Sequence, residues 1–204
     1  MITTHFPALQ IVIPLIAAPL CILLRWRDVP FGIALIATWS SFIISCVLLG
    51  QVMDQGVIVY EMGGWAAPWG IEYRIDAANA MVLLIVSGIG SVVVPYTRNS
   101  MLLEYIYDRH YLFYSAYLLC LTGLMGVAIT GDAFNLFVFL EISSLSSYVL
   151  ISLGFDRRAL TAAYQYLVLG TIGATFIVIG IGLLYHATGT LNMVDISKRL
   201  AVSG

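Results

Sequence analysis

The sequence is short of charge. Of its 204 residues only 10% are Asp, Glu, Lys or Arg, against about a quarter in soluble domains. The net charge of -2 is too small to draw a nucleic acid or another charged polymer, so no nucleic-acid partner is expected. Cysteine is scarce too. Cys21, Cys46 and Cys120 sit inside apolar runs at no metal-ligand spacing, and read as small buried hydrophobes rather than disulfides or ligands. The N-terminus, MITTHFPALQ, lacks the positive segment of a signal peptide, and no small-residue cleavage site follows its apolar run. The first hydrophobic stretch therefore reads as a retained span. The sequence shows no nucleophile triad, metal cluster or cofactor fingerprint, which points away from an enzyme and leaves no cofactor to expect.

What is present is apolar length. Hydrophobic residues make up 61% of the chain, and the mean hydropathy is +0.97. Runs of about 20 apolar residues recur, the length a helix needs to cross a bilayer. The fold expected is an all-α membrane protein, a single domain over 1–204 with six spans near 6–24, 31–50, 77–96, 111–130, 133–153 and 160–185. Helices 1 and 2 occupy 1–50, helices 3 and 4 occupy 77–130, and helices 5 and 6 occupy 133–185. A surface tail over 186–204 reads as a linker toward another span.

Between the second and third spans, residues 51–76 hold VIVYEM and IEYRID around a Gly/Pro-rich turn. Two short alternating runs so joined predict a β-hairpin on the membrane surface. Tyr60, Trp65, Trp69 and Tyr73 suit its interfacial position.

Arginine counts set the orientation. Arg25 and Arg27 follow span one, Arg98 and Arg109 separate spans three and four, and Arg157 and Arg158 separate five and six. The other side holds Arg74, Lys198 and Arg199. The positive-inside rule puts the arginine-rich loops in the cytoplasm and both ends of the chain outside.

Within the spans, Pro14 and Pro19 read as kinks in the first helix. In span six, Gly170 with Ala174 and Thr171 with Thr175 give small residues at helical spacing, a packing face rather than a phosphate loop.

One residue stands apart. GDAFNLFVFLEISSLSSYVLI, residues 131–151, is almost entirely apolar and yet carries a carboxylate near its middle, Glu141. An acidic residue at a helix centre costs roughly 2.5–3.5 kcal/mol on insertion scales, so it is expected to face the protein interior or a wet cavity. Ser144 and Tyr148 lie on its stripe. Two readings stand: a proton-relay group, or a structural carboxylate that joins helices. No Lys or Arg lies inside the six spans, so a cationic partner has to come from outside this sequence. Gln165 is the neutral candidate at comparable depth in span six, and His110 and His186 sit at span ends. Asp132 reads as the N-cap of span five, with a proton exit as the alternative.

GDAFNLFVFLEISSLSSYVLI resembles the fifth-helix segment of the proton-translocating antiporter-like subunits, shared by Mrp-type cation/proton antiporters and the membrane arm of respiratory complex I. RALTAAYQYLVLGTIGATFIVIGIGLLYHATGTLNM resembles the helix that follows, and YEMGGWAAPWGIEYRIDAANAMVLL the family's hairpin and third-helix entry. The likeness spans essentially the whole chain and is greatest to the D-type member of the Mrp antiporters.

The resemblance implies that Glu141 handles protons by pairing with a lysine in a later, broken helix. Many relatives carry a lysine in the sixth helix where Gln165 stands here, so a relay at that site is not carried over. Family members have about fourteen helices, so this is a partial antiporter-like fold, completed by other segments or chains. The function implied is a share in a multi-subunit Na⁺/proton antiporter of a prokaryotic cell membrane, with a complex I-like or hydrogenase proton pump as one alternative and a non-transporting scaffold as another.

Overall fold

The computed structural model describes residues 2–26, 28–103, 109–154 and 156–203. Among the described residues, six helices are long and apolar enough to cross a membrane: α1 (Phe6–Leu23), α2 (Val29–Gln55), α3 (Ala77–Leu103), α4 (His110–Ile129), α5 (Ala133–Ser152) and α6 (Arg157–Thr188). These are the six spans expected. Their ends extend where polar residues continue a helix past the apolar stretch, so Arg98 lies inside α3 rather than in the loop after it.

The hairpin is also where the alternation put it. Strands β1 (Ile58–Glu61) and β2 (Glu72–Ile75) pair antiparallel, with Ile58 opposite Ile75 and Tyr60 opposite Tyr73. Gly63 and Gly64 take positive φ in the connection, a conformation that glycine adopts without steric cost. Tyr73 and Ile75 are buried and join the largest apolar cluster, with Leu48, Leu83, Met125 and Phe139. That cluster holds α1 to α5 together and fastens the hairpin to one end of the bundle. His5 bonds Tyr60 at 2.9 Å at that end. At the other end, Asp28 lies 3.5 Å from Arg98, whose guanidinium stands 5.2 Å from the Phe31 ring centroid.

Pro14 and Pro19 both fall inside α1. Having no N–H, they leave the carbonyls of Gln10 and Leu15 without helical donors. Cys21 is buried, but Cys46 faces outward from α2, which corrects the expectation that all three cysteines lie in the core. Apolar sequence around a cysteine gives no indication of which helix face it takes when both faces are apolar.

The tail is the larger departure. Instead of a linker, residues Met193–Ser203 form a seventh helix, α7. Gly189 ends α6 in the left-handed conformation, its N–H donating to the Tyr185 carbonyl at 2.7 Å. Ile196 on α7 then packs with Ala133 and Ile181. The segment reads as a linker because it is too short and too charged for a span, yet Met193, Ile196 and Leu200 share a helical face.

α6 is the least covered helix. Only Ala163, Ile181 and Thr188 are buried along its length. Of the expected packing face, Gly170 lies under Tyr148 and Ala174 is half-buried, whereas Thr171 and Thr175 are exposed; Gly173, Gly180 and Gly182 have nothing within 4 Å of a Cβ added to them.

Candidate functional site

α5 begins at a cap that the sequence announces. The Asp132 side chain accepts from the Asn135 N–H at 2.8 Å, satisfying one of the helix's free first-turn donors. Asn135 in turn donates to Thr130 Oγ1 at 3.0 Å.

One face of α5 packs tightly on α4. Phe139 fills the space left by Gly126, and a Cβ on Gly123 would stand 2.6 Å from the Ser143 nitrogen. Three of the serines are occupied on that side by their own helix. Ser143 donates to Leu140 O (2.9 Å), Ser146 to Ile142 O (2.6 Å) and Ser147 to Ser143 O (2.8 Å).

Glu141 lies on the opposite side. Two residues beyond Phe139, it is turned about 160° from the α4 contact by helical spacing, and Tyr148, seven residues on, returns to within about 20° of it. Tyr148 is buried against α6, its phenol over Gly170 and its ring 5.0 Å from that of Tyr166. Glu141 itself is half-buried, and no hydrogen bond or ion pair joins its side chain to another described residue. Ser144, also half-buried, is one turn away.

The Tyr148–Gly170 contact sets the antiparallel register of α5 and α6. From it Gln165 lies five residues toward one end and Glu141 seven toward the other, about 18 Å apart along the helix axes at 1.5 Å per residue. By that register Gln165 does not share the depth of Glu141 that the span boundaries suggested, and its side chain is exposed. Asp132 is nine residues before Glu141, about 14 Å along the same axis.

Asp132 belongs to a different structure, at the hairpin end. The turn into α5 and the turn into α7 lie side by side. Ala133 N–H donates to Leu191 O and Met193 N–H to Gly131 O, both at 2.9 Å. Asn192 caps α7 as Asp132 caps α5, accepting from the Asp195 N–H at 3.1 Å. Tyr73 bridges to Thr130 on the other flank, so β2, the α5 turn and the α7 turn make one continuous ladder. The similar stretches TGD and TGTLN carried a signal for this pairing: each places Asp or Asn shortly after a threonine at a helix start.

Two cavities flank the ladder. One, of about 480 Å³, is lined by Asp132, Phe134, Tyr185, Trp69 and Arg199. Burial there raises the Asp132 carboxyl above the ordinary aspartate range, against the lowering effect of the backbone N–H groups of Asn135 and Phe134. The other, of about 270 Å³, is lined by Glu72, Arg74, Asn192, Asp195 and Lys198.

Residues 130–203 match the family described as NADH:quinone oxidoreductase/Mrp antiporter, TM. The match begins at the α5 cap and runs through α7. The chain belongs to that family, as an antiporter-like membrane subunit. The N subunit of NADH-quinone oxidoreductase from Desulforudis audaxviator is 40% identical over 97% of the chain. The D subunit of the Na(+)/H(+) antiporter from Bacillus subtilis is 34% identical over 98%. The chain spans 40% of the length of each.

Among solved structures, one chain of an archaeal membrane-bound sulfane sulfur reductase is 33% identical with a TM-score of 0.86, covering 94% of this chain and 39% of that one. A chain of the Mrp complex from Dietzia, 22% identical, shares the fold at a TM-score of 0.84, covering 98% of this chain and 39% of its own. The antiporter-like membrane subunits are thus the common ground of antiporter and redox relatives.

Proposed function

We propose that this chain provides part of the proton path of a multi-subunit antiporter that exchanges protons for a monovalent cation, Na⁺, across a prokaryotic cell membrane. One observation carries the reading: a carboxylate in the middle of a span, without a partner among the described residues, on the face of α5 turned away from α4. A buried charge without a partner is unfavourable, and a lipid-facing one more so. Arg98, the cation inside α3, is paired with Asp28 at the other end of the bundle, so a cation completing Glu141 would come from a further segment or another subunit. Moving that cation toward or away from Glu141 would favour its charged or its neutral form, which is the coupling a proton carrier requires. Ser144 and Tyr148 share its face and would support a water beside it.

In this arrangement the arginine-bearing end lies in the cytoplasm and the hairpin end outside. The subunit performs transport rather than catalysis. A second reading is favoured by the 40% identity to an NADH-quinone oxidoreductase subunit: the same carboxylate in a pump driven by electron transfer elsewhere in the complex.

The test is Glu141→Gln in the complete complex, assayed in everted vesicles for cation-induced pH-gradient collapse. Transport is expected to fall to background while the subunits still co-purify. Retained transport sinks the relay reading. Dependence of proton movement on NADH rather than on added Na⁺ selects the redox pump.

A further inference from the structure

Glu141 divides the seam between α5 and α6 into two unlike halves. On its stripe of α5, Ser144 and Tyr148 lie toward the arginine-bearing end, and Phe137 and Phe134 toward the hairpin end. The Tyr148–Gly170 contact fixes what faces each of them, because each step along α5 is matched by one on antiparallel α6. Ser144 stands level with Ala174 and Tyr148 with Gly170, so the hydroxyl-bearing side chains meet small residues. Phe137, eleven residues before Tyr148, stands level with Ile181, eleven after Gly170.

The hairpin half is filled. Phe137 packs against the cluster of Ala133, Ile181 and Ile196, which Met193 of α7 also joins. Ile181 is one of the three buried residues of the otherwise exposed α6. The Phe134 ring stands 6.1 Å from that of Phe137 and carries the apolar surface one turn further out. Between Glu141 and the start of α5 this stripe holds no polar side chain. A proton needs water or hydroxyl groups to move along, and a constriction of apolar side chains excludes water.

We propose that Phe137, packed against Ile181 and the α7 residue Ile196, is the proton barrier of the α5–α6 seam. It closes the hairpin side, so that along this seam Glu141 exchanges protons only toward the arginine-bearing end, past Ser144 and Tyr148. A carboxylate open to both faces at once would dissipate the gradient it serves, and the barrier prevents that. What passes the barrier rests on the relay reading of Glu141; the barrier itself rests on the packing alone. α7 acquires a role by the same argument, since Ile196 backs the barrier from outside the membrane-spanning helices.

The complete complex tests this in sealed vesicles, with Cys21, Cys46 and Cys120 replaced by Ala. The membrane-impermeant thiol reagent sulfonatoethyl methanethiosulfonate is added to one face or the other, and its attachment is read by mass spectrometry of this chain. Trp69→Cys, at an exposed position of the hairpin connection, reports which face is the hairpin side. Glu141→Cys is expected to react from the arginine-bearing side and to be protected from the hairpin side. Adding Phe137→Ala is expected to speed its reaction from the hairpin side by about tenfold or more, because a widened apolar constriction wets. Phe137→Leu, which keeps apolar bulk there, is expected to retain the protection. Should Phe137→Ala fail to co-purify with the other subunits, Ile181→Ala opens the seam at the same level and is read in the same way. Reaction of Glu141→Cys from the hairpin side with Phe137 in place overturns the proposal. So does reaction from neither face, or protection that survives the opening substitution in the assembled complex. The relay is read separately: with Glu141 present, Phe137→Ala is expected to hasten decay of an imposed pH gradient without added cation, and Glu141→Gln to abolish that excess leak. An excess leak that persists in Glu141→Gln sinks the relay reading and leaves the barrier standing.

Discussion

The Tyr148 phenol covers Gly170, and this one contact aligns α5 with α6. A Cβ at position 170 would collide with the hydroxyl and lie 2.8 Å from the ring carbon that carries it. The glycine is therefore required by the tyrosine, and the tyrosine's position sets the level at which Glu141 meets its neighbours.

Gly170→Ala is expected to destabilise the protein by about 1–3 kcal/mol, the usual range for overpacking. Tyr148→Phe removes the atom that collides first. The double variant should then lose less than the sum of the two single losses, because the residues are in direct contact. Thermal unfolding of the purified complex gives all three values. Strict additivity would mean that the two side chains do not meet.

Gly123 makes a harder demand. Its Cβ would meet Ser143 N at 2.6 Å and Phe139 O at 2.8 Å, and these are backbone atoms that cannot swing aside. Gly123→Ala should therefore cost more than Gly170→Ala, with loss of assembled complex as the readout. Gly32, also helical, has nothing within 4 Å. Gly32→Ala is expected to be neutral or to gain about 0.5–1 kcal/mol from reduced chain entropy.

Much of this architecture is legible in the sequence, and the exceptions share a cause. The six spans follow from apolar length, the hairpin from alternation, and Glu141 from the contrast between one carboxylate and its surroundings. What escapes a linear reading depends on contacts between distant segments. Span boundaries alone fix register loosely and put Gln165 at the depth of Glu141, whereas the Tyr148–Gly170 contact sets it about 18 Å away. Nothing in the sequence marks Glu72 as buried; Gly131, distant in the chain, lies against its side chain. The helix α7 reads as a linker because Ile196 is held by Ala133 and Ile181, residues far from it in the chain.

Asp132 yields a pH prediction. Its folded-state carboxyl is raised by burial, so between the ordinary aspartate range and that raised value the folded form binds more protons than the unfolded form. Stability contributed by this group is then present at low pH and falls as pH rises through the window. Asp132→Asn keeps an N-cap side chain and removes the titration, so it should flatten that slope. Asp132→Ala loses the cap too and should cost about 1 kcal/mol at every pH. Melting temperatures of the three proteins from about pH 4 to about pH 7 separate the effects. A wild-type slope of opposite sign would contradict the burial argument.

Gln10 offers a case in which removing a polar group should do little harm. It is fully buried between α1, α2 and α4, with Nε2 donating to Ser45 Oγ at 2.8 Å and lying 3.0 Å from Met125 Sδ, while Oε1 has no partner among the described residues. Ser45 does not depend on it: Ser45 donates to Ser41 O at 2.9 Å and accepts from Ser87 Oγ at 2.9 Å. Gln10→Leu therefore deletes an unsatisfied carbonyl oxygen without orphaning its neighbour, and truncates little volume. The net change is expected within about 1 kcal/mol, since the hydrogen bond to Ser45 and the weak one to the Met125 sulfur are offset by one desolvated acceptor removed. Leu48→Ala in the same cluster should cost about 2–5 kcal/mol by leaving a cavity. A loss in Gln10→Leu as large as that in Leu48→Ala would show that Oε1 is engaged in the assembled complex, and unfolding measurements on the two variants side by side decide it.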